Sequence, residues 1–403
     1  MSKIAYNYIQ IFAVVVLMGY WATNAVATLL FGDTSSSVSI IYRGILLLLS
    51  LITIYICRRD LSRLSDNRFL MFYGIVLILY SIRMYIDVAI GPFVGIIPTD
   101  YFVKDVFYIM GSVFITSFAL ISCRNHLDMD KICQLIYWLG LVIILIIPYI
   151  TELDVENMQD SEERMEAGRG MGSLTLVKIG VIEIIVSIHL ILNQKFKYLY
   201  IPGLLFAIWT TLAAGSRGGL IALIVALFYY LIVNSRKNIF KLLLVGVCMC
   251  AVIVYIVPIL EWISQYFPVI GYRMLETIIE NDQSGREILR EKAYELISQN
   301  PILGYSYRLN PSETGYTCHN GILDLLIAFG IPLGLLATYF VYFRSMVLAT
   351  RLMDRRECFF SSVAVLWVVI ASISGSGITD STFCFAICLL GAMYNKYEVK
   401  LVK

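Results

Sequence analysis

The chain has 403 residues, 59% of them hydrophobic and 15% charged, where an ordinary soluble domain is about a quarter charged. That composition excludes a soluble enzyme. Lys and Arg number 31 against 29 Asp and Glu, and a net charge of +2 offers no basic field for nucleic acid. The 9 cysteines include no Cys-x-x-Cys pair, so neither a zinc site nor a disulfide framework is indicated.

Apolar windows of about 20 residues, the length a bilayer core demands, recur along the whole chain. They fall near 8–31, 38–57, 69–91, 105–123, 132–150, 173–192, 199–215, 219–234, 242–260, 320–343, 359–375 and 381–395. The expected fold is therefore an all-α polytopic integral membrane protein, a single membrane domain over 1–403 with about twelve spans. Met1 to Tyr8 leads straight into the first window without a small-residue cleavage site, so that span is expected to be retained. With the N-terminus cytoplasmic, the inner loops collect Lys3, Arg58, Arg59, Arg63, Arg68, Arg124, Lys131, Lys195, Lys197, Arg236, Lys237, Lys241, Arg344, Arg351, Arg355, Arg356, Lys396, Lys400 and Lys403. These are 19 of the 31 basic residues. The positive-inside rule then puts both termini in the cytoplasm.

Two outer segments are long. Residues 151–172 hold seven acidic residues and read as a solvated loop. Residues 261–318 form the largest soluble piece. Within it Ser284-Gly-Arg-Glu287 has the spacing of a capping box, Ile288, Ala293, Leu296 and Ile297 make an apolar face, and Asn300-Pro301 stops the helix. An amphipathic helix lying on the membrane or over a cavity is predicted there.

The chemistry-bearing residues gather on the outer side. Arg217 sits in Gly215-Ser-Arg-Gly-Gly219, between two spans. An arginine at that depth either snorkels to lipid phosphate or, beside glycines that expose backbone N–H groups, holds an anionic ligand. Arg286 falls in the first turn of the loop helix, where a cation opposes the dipole and an anion is favoured. The alternative is a solvated surface arginine. Arg290, one turn on, either shares that site or pairs with Glu287 or Glu291. His319 stands where the outer loop re-enters the membrane, as a structural or a proton-handling residue; His126 and His189 lie at inner ends.

Ionisable residues inside spans are further suspects. Arg83 and Asp87, at i and i+4, are expected to pair. Arg43, Lys104, Lys178 and Glu183 either bind substrate or have structural roles, and Asp380 either orients His319 or an arginine or caps the last span. There is no Walker loop, no His-Glu-x-x-His and no carboxylate cluster suited to Mg²⁺, which favours metal-free and cofactor-free chemistry. No inverted repeat of the transporter kind is evident.

Gly215-Ser-Arg-Gly-Gly219, Ser284-Gly-Arg286 with the helix ending Gln299-Asn-Pro-Ile-Leu-Gly304, and His319-Asn320 leading to Gly330-Ile-Pro-Leu-Gly334 resemble the motifs of the O-antigen ligase and O-antigen polymerase superfamily. The likeness is good over roughly 170–340. It implies a GT-C-like, metal-independent inverting glycosyltransferase of the bacterial inner membrane, with 261–318 as a periplasmic loop. Its donor would be a glycan on undecaprenyl diphosphate, and its acceptor a second glycan. A flippase and a chain-length regulator are the partners the resemblance implies, with membrane lipid around the bundle. Arg217, Arg286 and His319 match the family's catalytic positions, with Arg290 and Arg169 as further diphosphate contacts and Asp380 as an orienting carboxylate. Polymerisation of surface polysaccharide repeat units is the leading expectation. Ligation of a finished chain to the lipid A core is the near alternative, and a transporter or flippase the alternative from another class.

Overall fold

The structure is a computed structural model that describes residues 2–31, 36–58, 68–90, 108–150, 173–235, 238–276, 278, 286–307, 309, 318–351, 363, 365–370, 382–383 and 385–388. Among these residues every regular element is helical. In chain order they are α1 (Lys3–Phe31), α2 (Ser36–Ile56), α3 (Arg68–Ala89), a π-helical stretch (Tyr108–Ile115) running into α4 (Thr116–Cys123), α5 (Met129–Ile150), α6 (Ser173–Asn193) and α7 (Ile201–Ala213). They continue with α8 (Arg217–Ser235), α9 (Ile239–Val254), α10 (Ile256–Ser264), α11 (Pro268–Leu275), α12 (Arg286–Gln299), α13 (Gly321–Thr338) and α14 (Arg344–Arg351).

Six of the described helices are long and apolar enough to cross a membrane, or up to seven when the bent pair α9 and α10 is taken as one span. The chain is a polytopic membrane protein. The expected window 242–260 is divided at Tyr255, where α9 and α10 meet at 66°. Pro258 has no N–H to offer the carbonyl of Val254 and its ring crowds that carbonyl, so one straight helix cannot run through. The windows 359–375 and 381–395 lie mostly outside the described residues, as does the acidic segment 151–172.

The core is centred on α6, whose residues from Leu176 to Val186 are all buried. A helix buried on every face, here with Lys178 and Glu183 among its apolar residues, lies inside a bundle rather than at its rim. α1, α5, α7 and α8 surround it, while outward residues such as Leu48, Leu145 and Leu205 are exposed, as lipid-facing side chains are.

Contacts between distant residues define the two ends of the bundle. At one end the Tyr6 hydroxyl donates to Asp128 (2.5 Å), the Gln10 amide to the His126 carbonyl (2.7 Å), Lys131 Nζ to Asn7 (2.5 Å), and the Tyr137 hydroxyl to the Leu199 carbonyl (2.8 Å). Arg124, Lys131, Lys195 and Lys197 belong to these turns. At the other end Arg43 lies 4.5 Å over the Tyr108 ring, and Arg83 reaches the backbone of Leu303 and Tyr305. α3 and α13 run antiparallel, Phe72 stacking on Phe340 and Tyr80 meeting Phe329 edge-on. α13 therefore begins where α3 ends.

The predicted outer helix is present as α12, and it ends before Asn300-Pro301. Its apolar face needs one correction. Ile288 is 70% exposed, and Leu289 joins Ala293, Leu296 and Ile297 in the packed set. At about 100° per residue, position 289 is within about 40° of 293, whereas 288 is about 140° away. Ser284 of the proposed capping box lies outside the described residues.

Candidate functional site

Three local constructions carry the candidate residues. The first is the turn into α8. Gly215 takes a left-handed φ of +65°, and its N–H donates to the Leu212 carbonyl (3.2 Å). Ser216 then accepts the first helical bond from the Leu220 N–H (3.2 Å), so Arg217 opens the helix, half-buried. A Cβ on Gly219 would stand 2.0 Å from Val177 Cγ1; the missing side chain lets this end of α8 close onto α6. Buried Leu260, Ile270 and Met274 of α10 and α11 pack with Leu212, Leu220 and Ile221. The first part of the outer segment is thus seated beside Arg217.

The second construction is α12. Arg286 is its first residue, where unpaired backbone N–H groups and the dipole create an anion-favouring end; the Arg286 side chain lies outside what is described. Arg290 is half-buried. Ala293, Leu296 and Ile297 share one apolar cluster with Leu309, Cys318, Leu323 and Ile327, so α12 is packed against the outer half of α13.

The third is the turn into α13. His319 has φ +54°, the one positive value among the described non-glycine residues, and its side chain is exposed. Asn320 caps the helix: its Oδ1 accepts from the N–H groups of Ile322 (3.0 Å) and Leu323 (3.1 Å). Asp324 reaches back one turn, its Oδ1 accepting from the Cys318 N–H (2.9 Å) and lying 3.1 Å from Cys318 Sγ. Burial and the neighbouring carboxylate push the Cys318 thiol well above the usual range. His319 is therefore held between two anchored residues. Sequence reasoning passed over Asp324; the signal was an Asn cap followed by an acid within the first turn.

These constructions stand at the same end of the bundle. Gly219 meets Val177 in the first turns of α6, away from the end that the Tyr137–Leu199 contact holds, and α13, with α12 packed on it, begins where α3 ends. Asp380, Arg169, Lys104 and Asp105 lie outside the described residues. Arg43 is taken up by Tyr108. Lys178 is 7% exposed and sits 4.9 Å over the Trp367 ring, inside the bundle rather than at lipid. Glu183 is fully buried beside Gly140.

Among the described residues no group of His, Cys, Asp or Glu is arranged to hold a metal ion. Asp128-Met129-Asp130 has the Asp-x-Asp spacing, but it lies at the opposite end and Asp128 is engaged by Tyr6 and by the Lys131 N–H (3.3 Å).

Residues 202–338 match the family described as O-Antigen ligase. The match runs from α7 to the end of α13, as the resemblance to the O-antigen ligase and polymerase superfamily leads one to expect, and the matched segment contains Arg217, Arg286, Arg290 and His319. No curated protein matches the chain.

Proposed function

We propose that this protein is a glycosyltransferase of the bacterial inner membrane that polymerises surface polysaccharide, taking a growing glycan from undecaprenyl diphosphate and transferring it to an acceptor repeat unit. The observation that carries the reading is the match to the O-antigen ligase family, whose matched segment includes Arg217 at the start of α8, Arg286 at the start of α12 and His319 just before α13. On this reading the chain has about twelve spans, both termini are cytoplasmic, and the end with the three turns faces the periplasm.

The chemistry is a single inverting displacement. An acceptor hydroxyl attacks the anomeric carbon of the donor, a new carbon–oxygen bond forms, and the bond to the diphosphate oxygen breaks. Negative charge grows on the departing lipid diphosphate. Arg217 and Arg286 neutralise it as bidentate donors, with the N-terminus of α12 adding its dipole. Arg290 and Arg169 extend this clamp. His319 takes the acceptor proton, and Asp380 orients it. The arginines supply the charge that a metal ion supplies elsewhere, so neither metal nor cofactor enters the scheme.

Transfer of the finished chain to the lipid A core is the second reading, favoured by the ligase description of the matched family. A deletion strain separates the two. Core capped with a single repeat unit marks a lost polymerase, whereas uncapped core with accumulating lipid-linked polymer marks a lost ligase. A transporter or flippase is the reading from another class. Purified protein in vesicles, given undecaprenyl-diphosphate-linked oligosaccharide without ATP or added metal, lengthens or transfers the glycan if the transfer reading is right. Lipid-linked donor crossing the bilayer without any new glycosidic bond overturns that reading.

A further inference from the structure

Outside the three candidate turns, a dense set of polar contacts joins α3 to the chain that follows α12. Arg83 Nε lies 2.9 Å from Asp87 Oδ1, as the i,i+4 spacing predicts. The pair does more than close on itself. Arg83 Nη1 donates to the Leu303 carbonyl (3.0 Å) and Nη2 to the Tyr305 carbonyl. Asp87 Oδ2 accepts from the Tyr307 N–H (2.7 Å), the Ser306 side chain also bonds to Asp87, and the Tyr80 hydroxyl donates to the Tyr307 carbonyl (3.2 Å).

The other side of the same segment is bonded to α13. The Tyr305 N–H donates to the Ile327 carbonyl (2.7 Å) and the Ile331 N–H to the Pro301 carbonyl (2.7 Å). Gly304 (φ +78°) and Gly330 (φ +73°) face each other across this contact. A Cβ on the first would stand 2.5 Å from the Ala328 carbonyl oxygen, and on the second 2.4 Å from that of Ile302. Both conformations and both approaches are open to glycine alone. Residues 301–307 are thus gripped from two sides.

An isolated i,i+4 ion pair contributes little to a helix, and a membrane-embedded position makes it costly. A guanidinium, however, can serve two carbonyls and a carboxylate at once through its planar fork. We propose that Arg83 and Asp87 are positioning residues that clasp 303–307 between α3 and α13, and so set how α12, headed by Arg286, stands over the turn that presents His319. The catalytic consequence rests on the transfer reading above; the clasp itself does not.

The experiment uses full-length wild type, Arg83→Ala, Arg83→Lys and Asp87→Asn, each purified from membranes. It measures hydrogen–deuterium exchange over 303–309 and the kinetics of transfer from undecaprenyl-diphosphate-linked oligosaccharide. In Arg83→Ala, exchange at the Tyr305 and Tyr307 amides rises about tenfold or more. Its kcat falls about tenfold to a hundredfold while KM for the donor moves less than about threefold, the signature of misplacement without lost substrate contact. Arg83→Lys, which can reach only part of the network, falls between wild type and Arg83→Ala. Asp87→Asn keeps an oxygen for the Tyr307 N–H and has the smallest effect.

Unchanged exchange over 303–309 in Arg83→Ala overturns the clasp. Raised exchange with full kcat overturns its positioning role, and so does a raised KM at unchanged kcat, which would mark a substrate contact. Where Arg83→Ala does not fold, Arg83→Lys decides: unchanged exchange over 303–309 overturns the clasp, and raised exchange with full kcat overturns its positioning role. Wild type that transfers no glycan overturns the transfer reading and with it the catalytic role, while the exchange measurement still decides whether the clasp exists.

Discussion

The turn into α8 and the turn into α13 solve the same problem with different residues. Each reverses the chain at one end of the bundle and starts a helix, and each uses a left-handed residue to do so, Gly215 at φ +65° and His319 at φ +54°. At the first turn glycine adopts the conformation without steric cost, and the candidate side chain, Arg217, stands two residues later as the first residue of the helix. At the second the functional side chain occupies the strained position itself, at a cost of about 1–2 kcal/mol. Anchors on both sides offset it: the Asn320 cap and the Asp324 grip on Cys318. The difference teaches that His319 is set by a left-handed backbone held between anchored neighbours, whereas Arg217 is set by the start of a regular helix.

On the proposed transfer reading, the largest effects are expected at Arg217 and His319. Arg217→Ala and His319→Ala should each lower kcat about a hundredfold to a thousandfold, the loss seen when a transition-state donor or proton acceptor is removed. Kinetics with lipid-linked donor in detergent or nanodiscs checks this. Full activity in either variant would remove that residue from the proposed site.

Exchanging the left-handed residues sharpens the comparison at the level of stability. Gly215→Ala should destabilise the protein by about 1–2 kcal/mol, because a Cβ enters a conformation L-residues avoid. His319→Gly should do the reverse, raising the thermal midpoint while abolishing transfer. A higher midpoint with lost activity is the expected mark of strain kept for function. A lowered midpoint in His319→Gly would mean that the imidazole's own contacts outweigh its backbone strain. Asn320→Ala should cost about 1 kcal/mol by leaving the Ile322 and Leu323 N–H groups without their cap, and thermal unfolding of the purified variant measures it.

How much of this could be read from the residues depends on the range of the interaction. The long spans α1, α2, α3, α5, α6 and α13 follow from apolar length, α12 from its spacing and the Asn300-Pro301 stop, and the Arg83–Asp87 pair from i,i+4 geometry. These are local rules. The grip of that pair on Leu303, Tyr305 and Tyr307 joins residues about 220 positions apart, and no periodicity reports it. Ile288 was misassigned although the helical period already excludes it: with Ala293, Leu296 and Ile297 on the packed face, Leu289 and not Ile288 falls in line. The bend at Tyr255 was legible in Pro258 and was masked by an otherwise continuous apolar run. Of the candidate site, the helix starts at Arg217 and Arg286 were legible; the fixing of His319 by its neighbours was not.

The smallest effect tests those neighbours directly. Cys318 is buried at 1% exposure beside His319, with its N–H and thiol held by Asp324. Burial and the adjacent carboxylate raise its pKa, so at neutral pH it stays a thiol, and a thiol is a poor nucleophile. In native protein Cys318 should therefore resist iodoacetamide. Asp324→Asn removes the negative charge and loosens the turn, and it should make Cys318 alkylate faster, which mass spectrometry of the labelled peptide follows. Slow alkylation in both proteins would mean that burial alone protects the thiol, and that Asp324 contributes nothing to holding the turn in which His319 is set.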